Sequence, residues 1–168
     1  YTANGNVAAP GSYTVILDNI PSDADSHTGG SVEFGLDGKL YLSIGDGASY
    51  DLANLLAFRS QNLDQLSGKI LRLNPDGSAP TDNPFYTTPT STRSKVWQFG
   101  LRNPYKAIFR PGSNKFYISD VGWYDWEELN VGAPGTNWGW PCFEGNVAQP
   151  LYSQIFPNAE YNDGFMRT

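Results

Sequence analysis

The chain holds one histidine, His27, set after the acidic turn Asp23-Ala24-Asp25-Ser26 and before Thr28-Gly29-Gly30. An imidazole can take a proton in one step and release it in the next, which makes His27 a candidate general base; a solvated turn residue is the competing reading. Arg102-Asn103-Pro104 sets a guanidinium and an amide beside a proline-fixed backbone, two planar donors that can meet carbonyl or carboxylate oxygens of a ligand. Its plain alternative is a strand-end arginine paired with a nearby carboxylate. Asp120, Asp125, Glu127 and Glu128 would supply an acid–base pair for glycoside hydrolysis, but adjacent glutamates on a strand point to opposite faces and cannot flank one bond. A solvated strand face is expected there. Trp123, Trp126, Trp138 and Trp140 could stack on sugar rings, although packing is the expectation for Trp138 and Trp140. Cys142 stands alone, so an internal disulfide and CxxC chemistry are both excluded.

These groups need a scaffold, and the clearest is a hairpin: 31–35, a turn at Leu36-Asp37-Gly38, then 39–45. Asp37-Gly38 provides the positive φ of a tight turn, while Leu40, Leu42 and Ile44 alternate onto one face. The unit returns as 107–110, a turn at 111–114, and 115–119, with Phe116 and Ile118 inward; Lys39-Leu-Tyr-Leu-Ser43 matches Lys115-Phe-Tyr-Ile-Ser119 position by position. Repeated hairpins with irregular insertions predict the blades of an antiparallel β-propeller. Strands are also predicted at 68–73 and 95–99, a short helix or ordered loop within 51–65, and a connecting loop over 78–94. Beyond Asn146 no period is evident.

Composition agrees with an all-β chain: of 168 residues 14% are aromatic and only 17% charged, with 18 Gly and 12 Pro for tight turns. The length suits a single domain, read as one partial segment over 1–168. A net charge of -6 without a basic stripe argues against nucleic acid, and no apolar run reaches the ~18 residues of a membrane helix. The first ten residues lack the pattern of a leader, which suggests a mature or internal segment.

His27-Thr-Gly-Gly30, the run from Leu36 to Asp46, the run from Leu66 to Gly77, Gly100-Leu-Arg-Asn-Pro104, Ser119-Asp-Val-Gly122 with Trp126-Glu-Glu128, and Asn137-Trp-Gly-Trp-Pro141 occur in this order. Together they resemble the soluble quinoprotein glucose/sorbosone dehydrogenases, six-bladed β-propellers, over about residues 20–145. The resemblance implies pyrroloquinoline quinone (PQQ) and calcium as cofactors. His27 would be the base that takes the proton of an aldose's anomeric hydroxyl while hydride passes from C1 to the quinone. Arg102, Asn103 and Gly122 would contact the cofactor, and the carbonyls of Gly122 and Trp123 would bind calcium. A secreted, extracellular or periplasmic location is implied too. Ser26, Tyr105 and Val121 depart from Asp, Gln and Gln of relatives. The length matches about two to three blades, without the basic residues that later blades bring to the quinone. A second chain or the remainder of the polypeptide would complete the ring. The competing expectations are a non-catalytic propeller module of an extracellular carbohydrate-binding or adhesion protein, and a structural fragment.

Overall fold

Hairpins dominate the computed structural model, which describes residues 2–156. A small hairpin, β1 (Ala3–Asn4) with β2 (Val7–Ala8), precedes the first large sheet. That sheet is antiparallel in the order β3 (Gly29–Phe34), β4 (Leu40–Ile44), β5 (Lys69–Leu73), β6 (Val96–Phe99). A second sheet joins β7 (Lys106–Phe109), β8 (Phe116–Asp120) and β9 (Glu128–Asn130), followed by the hairpin β10 (Phe143–Glu144) with β11 (Val147–Ala148) and the helix α1 (Pro150–Ile155). A 3-10 helix, Leu55–Ser60, sits within the stretch expected to be a short helix or ordered loop. The described residues therefore contain two blades, the lower of the two blade counts expected.

The two sheets stack face to face. On β4 the expected face carries Leu42 and Ile44, which pack with Leu71, Val96 and Phe99 under Leu17, Leu63 and Phe85 from the flanking loops. Tyr41 and Ser43, which alternate onto the opposite face, are buried as well, because the second blade lies on that side. Tyr41 meets Phe109 edge-on at 4.9 Å and Phe116 at 5.4 Å, and Ile70, Ala107 and Ile118 complete this seam. Phe116 and Ile118 face the first blade just as Leu42 and Ile44 face away from the second, so both blades turn the same side backward. This is head-to-tail stacking around a propeller axis. It leaves one face bare at each end of the pair: Val32 and Phe34 are exposed at the front, Ile108 and Leu129 at the back.

The inner strands begin side by side. Ala107 donates its N–H to Ser31 Oγ at 2.9 Å, and a Cβ on Gly30 would collide with the Pro104 carbonyl. Hence the loops before β3 and β7 and those after β4 and β8 all open at one end. No helix among the described residues is long and apolar enough to cross a membrane.

Candidate functional site

Every residue singled out for the site lies in those four loops. His27 stands two residues before β3, Arg102 and Asn103 lie before β7, and Gly122 and Trp123 follow β8. The β3–β4 pairing, which matches Gly29 with Ile44, sets Asp46 opposite His27 once it is extended by two residues. There His27 Nδ1 lies 2.8 Å from Asp46 Oδ1, and both residues are buried. A carboxylate partner fixes the proton on Nδ1 and leaves the Nε2 lone pair as the basic site. The solvated-turn alternative for His27 is thereby excluded. His27 adopts φ 51°, the left-handed region rarely used by residues with a side chain, and its backbone packs so close to Gly45 that a Cβ there would overlap the His27 carbonyl. Asp46, rather than the residue before His27, orients the ring.

Asp46 is held in turn. Its Oδ1 accepts the Ala48 N–H at 2.9 Å and its Oδ2 accepts the Trp140 indole N–H at 2.7 Å. Trp140 is buried as expected, and it also carries the Arg102 guanidinium over its ring at 5.4 Å. Gln61 anchors the turn beneath it, donating from Nε2 to the Trp140 carbonyl at 2.6 Å.

Arg102 does not pair with a carboxylate side chain. Its Nη1 donates to the carbonyls of Val121 at 3.1 Å and Gly122 at 2.6 Å, its Nη2 donates to the Tyr50 carbonyl at 2.9 Å, and its buried Nε has no partner. Burial pushes its pKa down, an effect only partly opposed by the Asp46 and Asp120 carboxylates nearby. The backbone N–H groups of Arg102 and Asn103 both donate to Asp120, at 3.0 and 2.6 Å. Asp120 is buried rather than part of a solvated face, and that burial pushes its carboxyl up to about 8 against the pull of those two N–H groups. Glu128, cross-strand from Asp120, accepts from Asn130 Nδ2 and from the Gly145 N–H.

The loop after β8 is clamped by Glu144. Its Oε1 accepts the backbone N–H groups of Trp123, Tyr124, Asp125 and Trp126, while Gln149 Nε2 donates to Oε2 at 2.7 Å. Gly122 has no room for a side chain, since a Cβ would overlap the Trp126 carbonyl. Sequence reasoning did not find Asp46, Asp120 or Glu144 in these roles. The register set by the turn would have paired Asp46 with position 28, the shift between Gly29 and Val32 moves it opposite His27, and nothing local pointed to Glu144.

The sequence profile of Glucose / Sorbosone dehydrogenase matches residues 2–164, and the chain belongs to that family. It is 34% identical over 116 residues to the aldose sugar dehydrogenase YliI of Escherichia coli, covering 69% of this chain and 29% of that protein. It is 33% identical over 186 residues to the HIPL2 protein of Arabidopsis thaliana, covering 95% of this chain and 25% of that one. Among solved structures, the PQQ-bound aldose sugar dehydrogenase of Streptomyces coelicolor superposes with a TM-score of 0.63 at 35% identity, covering 76% of this chain and 34% of that one. The chain thus spans about a quarter to a third of the length of these relatives.

The residues present fit such cofactors. A buried guanidinium with an unpartnered Nε, bonded only to neutral carbonyls, lacks the counter-anion that a polycarboxylate quinone would bring. Among the described residues no group of three or more His, Cys, Asp or Glu could hold a metal. Backbone carbonyls are hard donors of the kind calcium takes, and a carbonyl that accepts one hydrogen bond keeps a second lone pair.

Proposed function

We propose that this segment forms the base-bearing part of a PQQ- and calcium-dependent aldose dehydrogenase, completed by the remainder of its polypeptide or by a second chain, and acting outside the cytoplasm. The observation that carries the reading is the buried His27–Asp46 pair with Nε2 left as the base. His27 Nε2 takes the proton of the anomeric hydroxyl, and Asp46 stabilises the imidazolium that results. The C1–O bond gains its second component as the C1 hydrogen leaves with its electron pair, which yields the lactone. When bound, the quinone would supply the two-electron acceptor for that hydride and calcium the Lewis acidity that makes it a better acceptor. Arg102 and Asn103 would orient the quinone, and the carbonyls of Gly122 and Trp123 would hold calcium. The bare faces at Val32 and Phe34 and at Ile108 and Leu129 support further blades on either side. A non-catalytic carbohydrate-binding module would have no use for a buried, carboxylate-oriented imidazole.

In the whole protein, His27→Ala lowers turnover by about 10²-fold or more with quinone affinity retained. Steady-state kinetics beside an absorbance titration with the quinone test this, and unchanged turnover overturns the assignment.

A further inference from the structure

Glu144 touches neither His27 nor Arg102, yet it contacts the loop that carries both carbonyls assigned to calcium. In a trans peptide the N–H and the C=O of one unit point in opposite directions. The Trp123 N–H shares its unit with the Gly122 carbonyl, and the Tyr124 N–H shares its unit with the Trp123 carbonyl. Since both N–H groups converge on Glu144 Oε1, both carbonyls must point away from Glu144. The Gly122 carbonyl does so, and meets Arg102 on its far side. A carboxylate suits this position because successive N–H groups form a concave anion site, and the buried Glu144 fills it from within the chain. Gln149 fixes the other oxygen and so prevents the carboxylate from turning.

We propose that Glu144 is a positioning residue for the calcium-binding carbonyls of Gly122 and Trp123: by binding the N–H side of the loop it presents the carbonyl side to the metal. The inference rests on the calcium reading of the preceding section. Its consequence is a separation of effects. Loss of Glu144 weakens calcium more than quinone, because Arg102, although it also bonds the Gly122 carbonyl, is held independently by Asp120, Trp140 and Tyr50.

The test is calorimetric titration of the whole protein with calcium in saturating quinone, for wild type and Glu144→Gln, with circular dichroism and thermal melting as the fold control. An amide cannot serve as the anionic acceptor of four N–H groups, so a 10- to 100-fold loss of calcium affinity is expected, with quinone affinity at saturating calcium changed less than about threefold. A folded variant with wild-type calcium affinity overturns the positioning role. Equal losses for calcium and quinone overturn it as well, since they mark a general structural defect. Wild-type protein that binds no calcium in the presence of quinone overturns the calcium reading itself, and with it this proposal. Should Glu144→Gln fail to fold, Glu144→Asp, which keeps the charge but withdraws it by one methylene, is measured in the same way: an intermediate loss supports the role and an unchanged affinity overturns it.

Discussion

Two arginines, one in each half of the molecule, occupy nearly equal burial and opposite chemical circumstances. Arg72 is 4% exposed and Arg102 5%, and each lies over a tryptophan ring, Trp97 at 4.8 Å and Trp140 at 5.4 Å. Arg72 uses all its donors. Nε and Nη2 reach Asp37 Oδ2 at 3.0 and 2.8 Å, Nη1 and Nη2 reach Asp82 at 2.8 and 3.1 Å, and Nη1 also reaches Asn83 Oδ1 at 2.9 Å. These carboxylates raise its pKa above the ordinary arginine value despite burial. Arg102 has only neutral carbonyls and an idle Nε, and burial lowers its pKa. The first arginine ties the β3–β4 turn to the 78–94 loop, whereas the second, among the described residues, bonds no carboxylate. An unpartnered buried donor of this kind, inside a loop cluster, supports the ligand-binding role proposed for Arg102.

The contrast can be broken by removing each charge. Arg72→Leu should lower the unfolding free energy by about 3 kcal/mol, because Asn83 and Asp37 lose their buried partner. Denaturant unfolding measures this, and a loss under about 1 kcal/mol would show that the first blade does not depend on the network. Arg102→Leu should stay within about 1 kcal/mol of wild type, since the lost carbonyl bonds are offset by relief from burying an uncompensated cation. In the whole protein the same variant should bind quinone about 10²-fold more weakly, read by absorbance titration. A large stability loss with unchanged quinone binding would reverse the roles assigned to the two residues.

The smallest effect is a pH dependence on the acid side. Arg72 holds the Asp82 carboxyl below the ordinary value of 3.8. At Asp37 burial works the other way, but the Lys39 N–H, Arg72 and the Tyr41 hydroxyl outweigh it, and that carboxyl too is lowered. Both groups have depressed folded pKa values, so between the folded values and 3.8 the unfolded chain binds more protons. Stability from the pair is complete above the unfolded value and fades as pH falls through the folded ones. With solvent screening the change stays below about 1 kcal/mol, and Arg72→Leu should flatten it in melts taken from about pH 5 downward.

The hairpins were legible because their causes are local: Asp37-Gly38 makes the turn and a period of two sorts Leu40, Leu42 and Ile44 onto one side. The burial of Tyr41, Ser43 and Arg72 was not legible, since alternation marks the polar positions of a two-faced strand but does not say whether a second sheet covers them. His27 stood out by being the single histidine, and family motifs drew attention to Arg102, Asn103, Gly122 and Trp123. Asp46 was not legible, because the register set by the turn pairs it with position 28 and only the shift between Gly29 and Val32 brings it opposite position 27. Glu144 was beyond reach.

What the sequence alone determined is thus the run of strands from β3 to β8, without β1, β2, β9, β10 and β11, together with the repeated blade unit and the residue types able to do the chemistry, all of which follow from neighbours a few positions apart. What only the tertiary structure decided is which carboxylate serves which partner: Asp46 for the imidazole, Asp120 for the backbone of Arg102 and Asn103, Glu144 for the loop at Gly122. An acidic side chain has no directional preference of its own. Its partner is chosen by the donors that folding brings within about 3 Å, and those come from loops whose separation along the chain leaves no periodic trace.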